Sequence, residues 1–365
     1  MMDYSSQKFC SLPELVSPPR IRPGHHEELL LPKVLPLVEY APVSSIPHLL
    51  TDPNRNLMAM IRFDQKAFAS PSSFPLFISV GMAQLGMEEF VEVWSSSTPV
   101  QFDRSGNIRS ARNGDFVLGY YEWHVSDESR VERVVQEAYE ELLSYCEVSG
   151  FRHLLRIWNY FPSINRERNG LDRYKRFCIG RHQAFAACFT DFPAVLPAAS
   201  AVGTIKGPFQ VIFLAGTQQG WHVENPRQVS AYKYPQIYGP KSPSFARGTL
   251  VGFSANPSHL LVAGTASIVG HASQHLNDPV QQTHETLTNI QAVLQACQTF
   301  YGLHICSREG LGLLKVYVRR EADFEKIRDE ISASWCGNYP VVYLLGEMCR
   351  QELRIEIEAI LEISH

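Results

Sequence analysis

The sequence predicts an α+β protein of two duplicated units, each a mixed sheet covered by helices, preceded by an extended N-terminal arm. One observation is the stretch RIEIEAI at 354–360, whose apolar and acidic residues alternate as they do in a half-buried strand. Another is a pair of segments, 131–145 and 280–297, in which apolar residues recur at helical spacing. Strands and helices in this arrangement favour sheets that carry helices on one face.

A third observation is an internal duplication. In each half of the chain a glycine that closes a strand is followed, 16 and 23 residues later, by two apolar positions of a helix. These positions are Gly119, Val135 and Leu142 in the first half and Gly264, Val280 and Leu287 in the second. A related strand follows each helix, LLRIWNYF at 154–161 and LLKVYVRR at 313–320. We therefore predict an arm at 1–50, a degenerate unit at 51–200, and a second unit at 201–365 that carries the active site.

Composition and charge narrow the class of protein. The 365 residues suffice for two domains. A formal net charge of −4 and a pI near 6.4 argue against nucleic acid or an acidic membrane as the main partner. No stretch reaches the ~18 apolar residues of a membrane span, and the N-terminus has no basic region followed by an apolar one. The eight cysteines form no C-x-x-C pair, which is typical of reduced thiols, so a cytoplasmic location is predicted.

The first third of the chain is predicted to be extended and rich in strands. Eight prolines within residues 1–50 exclude a continuous helix, so this arm is predicted to be extended, with one edge strand at 34–39. Short apolar runs between turn residues predict strands at 58–63, 76–80, 89–94 and 116–123. Turns are predicted at 70–73 and 104–107.

Helices and strands alternate in the remainder. The strands are predicted at 153–161, 209–215, 252–254, 260–265 and 313–320, and the helices at 131–145, 171–181, 280–297 and 322–334, before two closing strands. Ser126 or Asp127 caps the first of these helices, and Gly150 ends it. Residues 230–248 contain three tyrosines and three prolines, which predicts either a rigid loop that covers a pocket or a surface crossover.

One cluster of basic residues is predicted to form a solvated face. Its members are Arg166, Arg168, Arg173, Lys175, Arg176 and Arg181.

Two carboxylates share one face of the closing strand, because Glu356 and Glu358 alternate with apolar residues. Cys349 precedes Glu356 by seven residues, so an acid and a thiol are predicted to line one pocket. The alternative is a solvated outer face of an edge strand.

His271 and His275 form an H-x-x-x-H pair, but no glutamate in zincin order and no third ligand accompanies them, so no metal is predicted.

The C-terminal unit resembles the reactive intermediate deaminase (RidA) fold, which is chorismate-mutase-like and occurs in small trimeric proteins with sites between subunits. The resemblance rests on QQTHETLTNIQAVL at 281–294, KVYVRREADF at 315–324 and RIEIEAI at 354–360. Those deaminases carry a catalytic arginine on the penultimate strand, whereas residues 341–345 contain none. Imine hydrolysis is therefore not the expected activity.

A longer resemblance, which covers nearly all of the chain after residue 50, is to the chorismatase family. The motifs that agree in order are HLLRIWNYFPSIN, GRHQAF, PAASAVGT, NPRQVSAYKYPQIYGPKSPSFARGT, GTASIVGHASQH and CRQELRIEIEA. The resemblance implies hydrolysis of chorismate to pyruvate and a ring acid, without a cofactor. One branch of the family forms a dihydroxycyclohexadiene carboxylate, and others form 3-hydroxybenzoate, alone or mixed with 4-hydroxybenzoate.

The same resemblance implies roles for particular residues. Gly264 and Cys349 match the pair found in the hydroxybenzoate-forming branches, so a hydroxybenzoate is the expected product. Glu356 would be the general acid that protonates the methylene carbon of chorismate, and Glu358 is its rival on the same face, with a solvent-facing position as the alternative. A diol-forming chorismatase, an imine deaminase and a non-catalytic ligand-binding protein are the alternative functions.

Two substrate carboxylates also require cationic partners, for which a planar guanidinium is well suited. The candidates are Arg156, Arg247 and Arg319, each with a surface position as the alternative. Tyr234 and Tyr238 are expected to donate hydrogen bonds to the substrate or to wall its ring, with a structural role in their loop as the alternative. Chorismate is the only partner expected, and the oligomeric state stays open between a monomer and a trimer.

Overall fold

A computed structural model of the chain describes residues 35–64, 75–125, 127–253, 256–303, 312–335 and 339–363. The predicted arm up to residue 34 and the predicted turn at 70–73 lie outside the described residues.

The elements of the chain fall into three groups. The first group comprises β1 (Leu37–Pro42), α1 (Ile46–Thr51), β2 (Asn56–Phe63), β3 (Leu76–Val80), β4 (Ala83–Leu85) and β5 (Phe90–Ser96). The second comprises β6 (Gln101–Ser105), β7 (Ile108–Arg112), β8 (Phe116–Trp123), α2 (Val131–Ser149), β9 (His153–Pro162), β10 (Glu167–Arg168), β11 (Leu171–Asp172), α3 (Arg173–Cys188), β12 (Ala198–Thr204) and β13 (Phe209–Gly216). The third comprises β14 (Trp221–Val223), β15 (Gly248–Phe253), β16 (Asn256–Ala266), β17 (Ile268–Val269), β18 (Ala272–Ser273), α4 (Pro279–Tyr301), β19 (Gly312–Val318), α5 (Phe324–Ser334), β20 (Val341–Leu345) and β21 (Ile355–Glu362).

The second and third groups form two sheets with equivalent strand orders. The first sheet has the order β12-β9-β13-β8-β7-β6, and the second has β20-β19-β21-β16-β15-β14. In each sheet one helix connects two parallel neighbours, α3 between β9 and β12 and α5 between β19 and β20. The last strand of each group, β13 or β21, lies antiparallel between two others. The predicted α+β class and its duplication are therefore confirmed.

The first group was not anticipated as a sheet of its own. Strands β1, β5, β2 and β3 form a separate four-stranded sheet, whereas β4 pairs with β20 at the edge of the second sheet. The predicted domain boundaries at residues 50 and 200 stay a prediction. Residue 200 lies inside β12, and β12 and β13 both belong to the first sheet. A division by sheet membership would thus fall after residue 216.

In the described part of the chain, helices cover only one face of each duplicated sheet. Leu142 of α2 and Phe185 of α3 pack on the first sheet, and Leu287 of α4 and Ile331 of α5 pack on the second. The opposite faces of these two sheets contribute to a third core, in which Trp158 of β9 lies together with Trp94 and other residues of the four-stranded sheet. The side of β21 that carries the two glutamates therefore faces the interior between the sheets.

Local sequence explains where the main helices begin and end. The α2 helix ends at Gly150, whose φ of 84° lies in the left-handed region that glycine tolerates. The carboxylate of Asp278 accepts hydrogen bonds from the backbone of residues 280 and 281 at the start of α4. None of the described helices is both long and apolar enough to cross a membrane, and the cytoplasmic location stays a prediction.

The basic cluster is only partly solvated, so that expectation was wrong for two of its members. Arg173 and Arg181 are 6% and 3% exposed. Arg173 pairs with Glu128, and Arg181 packs among aromatic rings.

Candidate active site

A cavity of about 330 Å³ lies between the two duplicated units. Its walls come from β12 and α3 of the first unit and from the loop at 234–247, β16, β21 and the connection between β20 and β21 in the second. Six predicted site residues line it, namely Glu356, Cys349, Arg247, Tyr234, Tyr238 and Gly264. Two others, Arg156 and Arg319, are absent from its walls.

Glu356 reaches this cavity from the inner face of β21. Its side chain is 5% exposed, and among the described residues none donates a hydrogen bond to its carboxyl group. Burial raises the pKa of Glu356 to about 8, and the negative charge of Glu358 contributes in the same direction. A carboxyl group with such a pKa retains its proton near neutral pH, which suits a general acid.

Gly264 on β16 provides the space that the Glu356 carboxyl group occupies. A Cβ atom at this position would stand 2.0 Å from Oε1 of Glu356 and 3.1 Å from Cβ of Ser200. Any larger residue would therefore push the carboxyl group away from its present place.

Glu358 is buried rather than solvent-facing, so the alternative of a solvated face is wrong for both glutamates. Its side chain is 4% exposed. Its carboxylate accepts hydrogen bonds from Arg156 Nη2 at 2.6 Å, Ser200 Oγ at 2.6 Å, Trp158 Nε1 at 2.9 Å and Tyr317 Oη at 3.1 Å, and pairs with Lys315 Nζ at 3.1 Å. Burial alone would raise the pKa of Glu358, but the charges of Lys315 and Arg156 and the hydrogen bonds from Ser200 and Lys315 hold it below its ordinary value.

Arg156 was predicted to bind a substrate carboxylate, but its partner is a carboxylate of the protein. It is 1% exposed and donates to Glu358, to Ser200 Oγ at 3.0 Å and to its neighbour's carbonyl oxygen at 3.0 Å. Its guanidinium is thus already neutralised inside the protein, and it does not reach the cavity.

Arg319 was also predicted to bind substrate, but it holds the turn between β20 and β21. It donates to the carbonyl oxygens of Leu353 at 2.7 Å and of Met348 and Arg350 at 2.9 Å, and to Oδ1 of Asn165 at 3.2 Å. Backbone oxygens and one amide take up its donors, so a ligand role would require this turn to open.

Arg247, Tyr234 and Tyr238 come together on one wall of the cavity. Arg247 is 3% exposed and donates from Nη2 to Tyr234 Oη at 2.8 Å, while its buried Nε has no partner among the described residues. Tyr238 packs against Tyr234 with 5.7 Å between ring centroids and bonds to His271 Nδ1 at 3.1 Å. The predicted covering loop at 230–248 therefore does line a pocket.

Two arginines of the cavity were missed by sequence reasoning. Arg181 is surrounded by Tyr139, Phe177 and Phe185, and its buried Nε and Nη2 atoms have no partner among the described residues. The sequence contained a pattern that could have indicated burial of Arg181. Phe177 and Phe185 lie four positions before and after it and hence on the same helical face. Arg350 stacks over the ring of Tyr238 at 3.9 Å.

Cys349 lies in the turn after β20 and lines the cavity together with Arg350. Burial raises the pKa of Cys349 to about 12. Near neutral pH it is therefore an uncharged thiol, which can contact a substrate ring but is a poor nucleophile.

The two histidines of the H-x-x-x-H pair serve separate contacts. His271 bonds to Tyr238, and His275 Nε2 pairs with Glu285 Oε2 at 3.2 Å. Within the described ranges no group of three or more His, Cys, Asp or Glu residues could hold a metal ion.

A duplicated α+β fold with a buried, proton-bearing carboxyl group and several arginines around one cavity defines a protein for a small anionic molecule. The comparisons with known proteins make this class specific, and the chain belongs to the chorismatase family. A family model described as "Chorismatase FkbO/Hyg5-like, N-terminal" matches residues 92–215.

Individual relatives cover most of the chain. A 3-hydroxybenzoate synthase of Streptomyces hygroscopicus is 31% identical over 320 residues, which is 84% of this chain and 92% of that protein. A chorismatase of the same organism is 32% identical over 279 residues, which is 74% of this chain and 79% of that protein. A crystal structure of a chorismatase superposes with a TM-score of 0.81 at 26% identity, over 91% of this chain and 99% of the other.

Proposed function

We propose that this protein is a chorismatase that converts chorismate to pyruvate and 3-hydroxybenzoate. The observation that carries the proposal is Glu356, a buried carboxyl group that keeps its proton at neutral pH and lines a cavity large enough for a small molecule. The relatives named 3-hydroxybenzoate synthase and chorismatase support the choice of substrate.

The first step is a proton transfer. Chorismate is an enol ether, and its side chain becomes a leaving group once the terminal methylene carbon is protonated. Glu356 gives its proton to that carbon, and the positive charge that develops on the ether carbon is stabilised by the glutamate's new negative charge.

The two carboxylates of chorismate are matched by arginines of the cavity. Arg181 and Arg247 both retain guanidinium atoms without a partner among the described residues, and Arg350 lines the same space. A bound carboxylate would also neutralise Arg247, whose positive charge lowers the pKa of Glu356 in the free protein. Substrate binding therefore helps the acid to keep its proton until the transfer.

The second step is an internal displacement. The ring hydroxyl group next to the ether attacks the ether-bearing carbon, the carbon–oxygen bond to the side chain breaks, and pyruvate leaves. The hydroxyl proton returns to the Glu356 carboxylate, so the acid is regenerated and no water is consumed. The arene oxide that results opens to 3-hydroxybenzoate as the ring regains aromaticity, and the atoms of the two products add up to those of chorismate.

Gly264 and Cys349 support the choice of product. The position of Gly264 fixes where the Glu356 carboxyl group lies, and the uncharged thiol of Cys349 offers a polarisable contact for the ring. Attack by water instead of the ring hydroxyl group would give a dihydroxydiene, which is the competing outcome within the family.

Product analysis tests the proposal. Purified protein is incubated with chorismate, pyruvate is measured with a coupled assay, and the aromatic products are separated by chromatography. Equal amounts of pyruvate and 3-hydroxybenzoate are expected. Pyruvate with a dihydroxydiene would contradict the choice of product, and no pyruvate would contradict the function. The oligomeric state stays a prediction.

A further inference from the structure

We infer that Glu358 is a positioning residue for the acid: its fixed negative charge, held by a buried ion-pair network that extends into the N-terminal sheet, keeps the proton on Glu356. The inference rests on the acid role proposed for Glu356.

The two glutamates are neighbours on one face of β21 with opposite surroundings. Two strand residues apart, their Cβ atoms are roughly 7 Å from each other. Glu358 accepts four hydrogen bonds and an ion pair, whereas none of the described residues donates a hydrogen bond to Glu356. Two buried carboxylates this close cannot both ionise without a large cost, so the proton resides on the one with fewer donors.

The charge of Glu358 is balanced by a network that spans all three large sheets. Lys315 on β19 lies 3.1 Å from Glu358 and 2.7 Å from Oε2 of Glu92 on β5. Trp94 Nε1 donates to the other oxygen of Glu92 at 2.8 Å. Both charged side chains of this outer pair are 5% exposed or less.

Glu92 matters because its negative charge balances one of the two cations of the network. The two cations, Arg156 and Lys315, are matched by the two anions, Glu358 and Glu92, so the network is neutral while Glu356 carries its proton. Without Glu92 the network would have one surplus positive charge, and that charge would favour an ionised Glu356. Glu92 thus acts on the acid although it does not line the active-site cavity.

Other groups also face the two glutamates. Around the network Tyr40, Tyr160 and Tyr317 are uncharged, since burial raises the pKa of each phenol. Around Glu356 the nearby arginines, Arg156, Arg247 and Arg319, lower its pKa. The phenol of Tyr174 and the thiol of Cys349 are neutral, because burial raises the pKa of each. Glu358 is therefore the anion that offsets the arginines.

The titration of Glu356 in variant proteins tests the inference without relying on turnover. The side-chain carboxyl carbons are labelled with ¹³C-glutamate, and their NMR signals are followed as the pH is changed. The signal of Glu356 is the one that is missing from the spectrum of Glu356→Gln. The titration of this signal is expected to have its midpoint near pH 8 in the unaltered protein. In Glu358→Gln and in Glu92→Gln it should fall by about one pH unit or more, and the alkaline limb of kcat/KM should move with it.

Two controls separate charge from damage to the fold. Glu92→Gln combined with Lys315→Met removes one charge of each sign and keeps the network neutral, so the midpoint should return towards its original value. Asp323→Asn breaks another partly buried ion pair, with Arg354 at 3.2 Å, and should leave the midpoint unchanged.

The possible results have distinct meanings. An unchanged midpoint in both folded single variants overturns the inference, and so does a double variant that stays as far shifted as Glu92→Gln alone. If Glu358→Gln does not fold, Glu92→Gln and the double variant decide the matter. A shifted midpoint in a protein that releases no pyruvate contradicts the proposed function and leaves the charge relation supported.

Discussion

A methyl group on Gly264 would stand 2.0 Å from Oε1 of Glu356. The acid's carboxyl group thus lies where any other residue would carry its side chain. Gly264 lies near the end of β16, and Glu356 on β21 pairs with the last residue of that strand. Gly264 therefore affects the proton transfer itself and is not only part of the cavity wall.

Replacing Gly264 should change both the rate and the products. In Gly264→Ala combined with Cys349→Ala, the Glu356 carboxyl group must shift, and displacements of about 1 Å can cost ~10²-fold in rate. The internal displacement depends more on geometry than attack by water does, so the share of the dihydroxydiene should rise. Chromatography of the products checks this, with Cys188→Ala, an exposed cysteine outside the cavity, as the matched control. An unchanged product ratio at an unchanged rate would contradict the role of this pair.

Glu356→Gln should abolish the proton donor while keeping its shape. Turnover is expected to fall by about 10² or more, and substrate binding, measured by calorimetry, should persist. Glu352→Gln, which alters another carboxyl group of the cavity, is the matched control and should retain most activity. Near-normal turnover in Glu356→Gln would move the acid role to another group.

The rate should depend on pH in the sense that the pKa of Glu356 dictates. Its raised pKa of about 8 means that the group is protonated below that pH and loses its proton above it. Since the proton is needed, kcat/KM should be level below pH 8 and fall by about tenfold per unit above it. A profile that keeps rising above this pH would indicate a catalytic base instead.

Arg181 should show opposite effects on stability and on binding. Its buried guanidinium lacks hydrogen-bond partners among the described residues, which is costly in the free protein. In Arg181→Met the side chain keeps its contact with the surrounding rings but carries no unpaired donors, so the melting temperature should rise. The binding free energy for chorismate should become less favourable by roughly 2–5 kcal/mol. Arg176→Met, on the same helix and paired with Glu132, is the control. Unchanged affinity would exclude Arg181 as a ligand.

Arg319 should matter chiefly for stability. Removing its side chain leaves the carbonyl oxygens of the turn before β21 without donors, at a cost of about 1–3 kcal/mol for each group that remains buried. Arg319→Ala should therefore lower the free energy of unfolding measured with urea. Arg328→Ala, at an exposed position of α5, should change it little. A large loss of substrate affinity without a loss of stability would restore the ligand role first expected for Arg319.

Much of the fold and part of the site follow from local patterns. The alternation of apolar and acidic residues placed Glu356 and Glu358 on one face of a strand, and apolar residues at helical spacing located α2 and α4. Equal spacings predicted the duplication that the two sheet orders confirm. Eight site residues were predicted from this alternation, from the resemblance to the chorismatases and from the charges of chorismate, and six of them line one cavity.

The sequence by itself determined the α+β class, the repeat and the pair of glutamates, because these depend on residues close together in the chain. The resemblance favoured Glu356 as the acid, but only the tertiary structure supplied the physical reason why it keeps its proton. Glu358 obtains its donors from β9, β12 and β19, and Arg156 lies 202 positions away from it. The same holds for the arginines: Arg156 is neutralised and Arg319 is bound inside the protein, whereas the buried Nε and Nη2 of Arg181 have no hydrogen-bond partner among the described residues. Ionisation and free donors are set by the groups that surround a side chain in space, and a linear pattern does not contain that information.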